Sequence, residues 1–97
     1  MAIVDPPIRS PHDDAEVDAL LARAAAGDRD AFVAFYDATA PHVYAVLLAL
    51  TDPASAERTL HAAHVEAWQR TRERGAPPCP GREWMSVIAR RHAPAAH

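Results

Sequence analysis

Asp52-Pro53 opens a stretch that runs to Arg74 without another proline or any glycine, and it constrains the fold more than any other feature of the chain. Aspartate is a good N-cap because its carboxylate accepts from backbone N–H groups that a first helical turn leaves unpaired. Proline loses nothing at a position where its missing N–H would have no partner. The spacing predicts a long helix ending near Arg74. Gly75, Pro77, Pro78, Pro80 and Gly81 then force a loop. Beyond it Trp84, Met85, Val87 and Ile88 mark a short final helix that Pro94 stops.

The rest of the chain also reads as helix. It is rich in alanine, has six aromatic residues and almost no run of β-branched residues, so strands have little to be built from. The expected fold is all-α, a compact bundle of about five helices. Asp13 followed by Glu16 reads as a capping box, after which Val17, Leu20, Leu21 and Ala24 form an apolar stripe that Gly27 ends. Asp28 caps a second helix carrying Phe32, Phe35 and Tyr36 at helical spacing. Pro41 interrupts that pattern and reads as the first residue of a third helix. Val43, Tyr44, Val46, Leu47, Leu48 and Leu50 make this third helix apolar nearly all round, so it should be the most buried element. The 97 residues suit one small domain: a flexible leader over 1–12 with three prolines, a helical domain over 13–93 and a tail over 94–97.

Charge divides along the chain. Residues 1–57 hold ten acids against three arginines, net −7, and residues 58–97 hold seven arginines against three acids, net +4. Two different neighbours would explain the division, and so would two ordinary solvated faces. Four net positive charges make a weak footprint for a phosphate backbone. The single cysteine, Cys79, sits between prolines, cannot close an internal disulfide and reads as an inert loop thiol. The first sixteen residues lack the basic and apolar regions of a signal peptide, and no uncharged run reaches the ~18 residues a membrane span needs. A cytoplasmic protein with no membrane contact is expected.

Enzyme readings find no support. The chain has no glycine-rich phosphate loop, no GxSxG, no HExxH and no paired carboxylates among apolar residues, and no cofactor is expected. His61 and His64 stand three residues apart, a spacing that one metal can share. A site needs three or four ligands, and Cys79, His92 and Glu57 would serve only if the fold brought them together. The expectation is no metal, with His64 at the edge of the core and His61 exposed. Trp68 and Trp84 could stack on bases, but their helical spacing with Leu60, Val65, Val87 and Ile88 favours core packing. The loop ERGAPPCPGRE, residues 73–83, reads equally as a preorganised pocket or as a rigid connector.

Residues 20–92 resemble region two of bacterial RNA polymerase sigma factors of the extracytoplasmic-function type. The resemblance lies in the order of short signatures: Gly27-Asp28, Phe32, Tyr36, Ala40-Pro41, Val43-Tyr44, Asp52-Pro53, Ala56-Glu57, Trp68, Trp84 and Ile88-Ala89-Arg90. No single element is specific, but together they cover about three quarters of the chain. The resemblance implies a non-enzymatic transcription module with two surfaces. The helix starting at Asp52-Pro53 would pack on the clamp helices of the largest subunit of core RNA polymerase, through Asp52, Glu57, Arg58, His61, Ala62 and Val65. The later loop and last helix would take unstacked bases of the minus-ten promoter strand, with Arg70, Arg72, Arg74, Arg82, Arg90 and Arg91 on the backbone.

Several positions depart from the family pattern. Arg58 replaces an aspartate, His61-Ala62 replaces a Gln-Glu pair and His64 replaces an aromatic residue. The family's longer basic last helix and its second DNA-reading domain are not expected here. Beside the initiation module stand two alternatives. One is a degenerate sigma-like regulator that acts by protein contact alone, on polymerase or on an anti-sigma or other regulatory chain. The other is a metal-responsive helical bundle.

Overall fold

The structure, a computed structural model, describes residues 13–93; the leader and tail expected at 1–12 and 94–97 lie outside them. Four helices follow in order: α1 (Asp14–Ala25), α2 (Arg29–Leu48), α3 (Pro53–Arg74) and α4 (Gly81–His92), and among the described residues there is no strand. The all-α expectation holds, and the count is four rather than five.

The caps explain where the first three helices begin. Asp13, Asp28 and Asp52 each accept the backbone N–H three residues on, from Glu16, Ala31 and Ser55, which takes up a donor that the first turn leaves unpaired. Pro53 is the first residue of α3. Gly27 and Gly75 have φ values of 104° and 83°, in the left-handed region where a side chain would be strained, and they turn the chain out of α1 and α3.

The missing fifth helix is a matter of Pro41, which lies inside α2 instead of starting a new helix. Proline inside a helix removes one backbone hydrogen bond and crowds the preceding turn, at a cost of about 3 kcal/mol. Here Asp37 and Pro41 are both on the exposed side, so the carbonyl left without its donor faces water. On the opposite side Phe35, Thr39, Val43 and Leu47 are buried and hold both halves of α2 to the same core. Each large apolar side chain so buried contributes roughly 1.5–3 kcal/mol, enough to offset the break.

The segment after Pro41 is also less buried than its composition suggests, with Leu48 at 42% and Leu50 at 44% exposed. Only Val43 and Leu47 are fully buried there, with Tyr44 half-buried against the core, because a helix in a four-helix bundle buries one stripe. Of the described helices α2 alone has the length and hydropathy of a membrane span; it carries Asp37 and Pro41 and turns its apolar stripe into the bundle.

All four helices touch one another. Val17 and Leu21 from α1, Phe35, Val43 and Leu47 from α2, and Met85 and Ile88 from α4 fill the centre. The apolar side chains that α3 buries fully are small, Ala56, Ala63 and Ala67, and beside them it buries the polar Thr59, His64 and Thr71. α4 starts in a way the sequence does not reveal. Its N-terminus has no side-chain cap of its own, and the Gly81 N–H is taken 2.7 Å away by the carboxylate of Asp18 on α1. Glycine suits the close approach there, since a Cβ would lie 3.1–3.2 Å from Leu21, Asp18 and Phe35 and these neighbours would have to give by a few tenths of an ångström.

Candidate protein and nucleic-acid interface

α3 positions most of the candidate residues. Its buried side carries Ala56, Thr59, Ala63, His64, Ala67 and Thr71, so the 3.6-residue repeat puts Arg58, His61 and Val65 on the opposite side, where all three are exposed. Of the other residues expected to face polymerase, Ala62 is half-buried and Glu57 is exposed. Asp52 is exposed too, but its carboxylate is occupied as a cap by the Ser55 backbone and hydroxyl, and the Ser55 N–H holds its pKa below the ordinary 3.8. Arg58 reaches back 3.3 Å to the same hydroxyl.

His64 points the other way and is 1% exposed. Its Nδ1 lies 2.9 Å from the Leu60 carbonyl, which can only accept, so Nδ1 carries the proton. Its Nε2 faces the Thr39 hydroxyl at 3.0 Å, and that hydroxyl also lies 2.9 Å from the Phe35 carbonyl. The imidazole stacks on Tyr36 with ring centroids 4.0 Å apart. Burial lowers the pKa of His64 from 6.5, and this outweighs the Leu60 hydrogen bond; burial raises the Tyr36 hydroxyl from 10.0. With both ring nitrogens engaged, His64 has none to give a metal. Among the described residues no group of three or more His, Cys, Asp or Glu gathers.

Beside His64 the α2–α3 seam opens into an apolar depression of about 290 Å³, formed by Phe32, Val33 and Tyr36 against His61, Val65 and Trp68. Trp68 is half-buried. It packs 5.0 Å from the Phe32 ring and carries the Arg72 guanidinium 5.4 Å above its face, a cation–π contact.

The six arginines expected to track a DNA backbone do not form one face. Glu66 divides them. Its carboxylate accepts from Arg70 at 2.5 Å and from Arg91 at 3.2 Å, and pairs with His92. These partners, His92 first, hold its pKa below 4.5. Arg82 pairs with Asp14 at 3.4 Å. Arg72 is drawn to Trp68, and Arg90 lines a polar cleft with His42 and Ser86. Arg74, with Arg70, borders a cavity of about 220 Å³ that Pro77, Pro78 and Trp84 close. Trp84, expected in the core, is half-buried between that cavity and the core. Cys79 is exposed.

Glu66 was not legible as a hub. Its spacing of four from Arg70 shows in sequence, but Arg91 and His92 reach it only because α4 lies against α3. Phe32 reads from sequence as part of its helix's apolar pattern, and nothing local marks it or Val33 as lining a surface depression.

No protein-family model matches the chain, and no solved structure does. Curated relatives do. The chain is 36% identical over 88 residues to the ECF RNA polymerase sigma factor SigK of Mycolicibacterium vanbaalenii, covering 88% of this chain and 44% of that protein. It is 36% identical over 89 residues to SigK of Mycobacterium ulcerans, covering 91% and 46%, and 32% identical over 84 residues to SigK of Mycobacterium tuberculosis, covering 86% and 45%. The chain thus spans about half the length of the curated relatives it matches. These similarities show the chain to be a divergent relative of part of the ECF RNA polymerase sigma factors.

Proposed function

We propose that the chain is a sigma region-two-like transcription module that docks on core RNA polymerase through the outer side of α3, with the clamp helices of the largest subunit as its seat. The observation that carries this reading is the exposed row Arg58, His61 and Val65 on a helix whose opposite side is anchored in the core. The relatives are named as sigma factors, initiation factors rather than enzymes, and this chain would act with polymerase in the cytoplasm. The cavity bordered by Arg70, Arg74 and Trp84 has the materials to take one unstacked base of a promoter strand: an aromatic edge, prolines that limit the entropy lost on ordering, and two cations for phosphate.

A second reading has its own support. Glu66 already pairs with Arg70, Arg91 and His92, which lowers what the basic end can offer a phosphate backbone. This favours a regulator that occupies polymerase or a related partner by protein contact without reading a promoter.

Co-purification with core polymerase tests the docking. The wild-type chain should retain polymerase. Arg58→Asp and His61→Gln, which restore family residues, should retain more, and Val65→Glu should retain less. If none of these forms is retained, the docking reading is wrong. Fluorescence anisotropy with a single-stranded minus-ten oligonucleotide at two salt concentrations separates the two readings: a signal that is blind to sequence and abolished by salt leaves only the protein-contact role.

A further inference from the structure

We infer that His64 is a proton switch built into the α2–α3 seam: the folded chain holds the imidazole neutral or charged by reversing the Thr39 hydroxyl, and the charged form puts a cation in the wall of the apolar depression. The fold alone carries the switch; its effect on docking rests on reading the outer side of α3 as the polymerase surface.

A buried histidine resists protonation for two reasons: the new N–H needs an acceptor, and the charge has no water around it. The surroundings of His64 meet the first need in full. Nδ1–H donates to the Leu60 carbonyl, 2.9 Å away, in both charge states. The difference lies at Nε2, 3.0 Å from the Thr39 hydroxyl. That hydroxyl has one proton, and Nε2 and the Phe35 carbonyl, 2.9 Å away, compete for it. With the ring neutral, Nε2 can only accept, so the hydroxyl proton points to it. With the ring charged, Nε2–H donates to the hydroxyl oxygen, and the hydroxyl proton swings to the Phe35 carbonyl. No heavy atom has to move, and each of these N–H and O–H groups has an acceptor in both states. Thr39 is fully buried and His64 is 1% exposed, so water cannot stand in for either partner.

The second need is met in part. Tyr36 stacks on the imidazole with ring centroids 4.0 Å apart, and an aromatic face attracts a cation. The titratable groups that face His64 are Tyr36 from α2 and His61 from its own helix, while Arg29 borders the same depression. Among the described residues His61 is the one charge that acts on the ring, disfavouring its protonation, and no charge from α1 or α4 does. Burial holds the pKa below 6.5. The switch therefore rests neutral at neutral pH and turns over only as pH falls below that value.

The depression is where the switch reaches the surface. His64 lines it together with Val65 of the docking row and with Val33. With the ring neutral this wall is apolar; with the ring charged, any apolar side chain seated there takes the cation further from water, which is costly. Polymerase held through Val65 should be released as the switch turns over.

Nuclear magnetic resonance of the His64 ring in the full chain tests the switch. The His61→Gln background leaves His64 as the one histidine lining the depression. At neutral pH the ring nitrogens should report the Nδ1–H tautomer. As pH falls, the ring should titrate with a midpoint below 6.5 while amide dispersion persists, and the methyl signals of Val33 and Val65 should move with the same midpoint. Thr39→Val keeps the shape and removes the acceptor, so it should lower the midpoint by about one unit; Thr39→Ser keeps the hydroxyl and should restore it. The wild-type Thr39 titration decides the matter even where Thr39→Val does not fold.

An Nε2–H tautomer at neutral pH, amide dispersion lost in step with the ring, valine methyls that ignore it, or a midpoint indifferent to Thr39→Val overturns the inference. In the same background, polymerase retention should fall across the midpoint and stay level in His64→Phe, which keeps a ring and loses the proton. An equal fall in both overturns the link to docking. No retention at any pH sinks the docking reading alone, and the ring titration still decides the switch.

Discussion

Against α2, helix α3 lays aromatic rings and one buried imidazole; against α4 it lays a carboxylate shared by its own Arg70 and by Arg91 and His92 of α4. The two seams join the same rod to its neighbours by opposite means. Rings cover each other only in part, so the first seam closes over His64 and leaves Val33, Val65 and one side of Trp68 at the surface. Charges find partners one by one, so the second seam already gives Arg70 and Arg91 a carboxylate, although both side chains stay in part exposed. The difference explains why the apolar seam is the better candidate for a protein partner, although the basic half of the sequence draws attention to the other.

Truncation at each seam should separate them most widely. His64→Ala leaves a void beneath Tyr36 and removes one of the two buried partners of the Thr39 hydroxyl, the Phe35 carbonyl remaining; the expected loss is about 3 kcal/mol, or roughly 15 °C in Tm, by thermal melting. Glu66→Ala should cost no more than about 1 kcal/mol, because Arg70 and Arg91 remain hydrated in either state. Equal losses would erase the distinction.

Acid should undo the two seams in different windows. The folded state lowers the pKa of His64 from 6.5, so the unfolded chain binds a proton first. Stability contributed by the neutral imidazole is present above that pH and is lost as pH falls below it, through the lower folded value. The pKa of Glu66 is lowered from 4.5, so its contribution persists to that pH and is lost only as pH falls further. Denaturant midpoints measured down the pH scale should fall in two steps, and His64→Gln should remove only the upper one.

A smaller effect sharpens the ionic side of the comparison. Glu66→Gln frees Arg70 and Arg91 from a charged partner, and the slope of single-strand affinity against salt should steepen by about 0.7 for each arginine released. An unchanged slope would mean that these arginines never reach phosphate. The smallest effect is expected at the start of α3. There Asp52→Ala removes a cap that sits fully in water, and a slight fall in Tm with unchanged partner binding would place Asp52 in the scaffold rather than the interface.

Much of this architecture could be read from local chemistry. Asp13, Asp28 and Asp52 mark helix starts, and Gly27 and Gly75 mark ends, because capping is settled within a few residues. Pro41 misleads for the complementary reason: its local cost is real, but the burial of Phe35, Val43 and Leu47 on one stripe decides the outcome, and that burial belongs to the whole bundle. The start of α4 depends on Asp18, 63 residues before Gly81, and no local signal could supply it. The same limit applies to the site. Arg58, His61 and Val65 share a side by periodicity alone, whereas the Thr39 partner of His64 and the α4 partners of Glu66 exist only once the helices are packed.

Photocrosslinking tests the docking role most directly, with a benzoylphenylalanine placed at Val65 in one chain and at Arg90 in another, each incubated with core polymerase. The expected result is a crosslink to the largest subunit from position 65 and none from position 90. A crosslink from position 90 alone, or from neither position, would contradict a docking face on the outer side of α3.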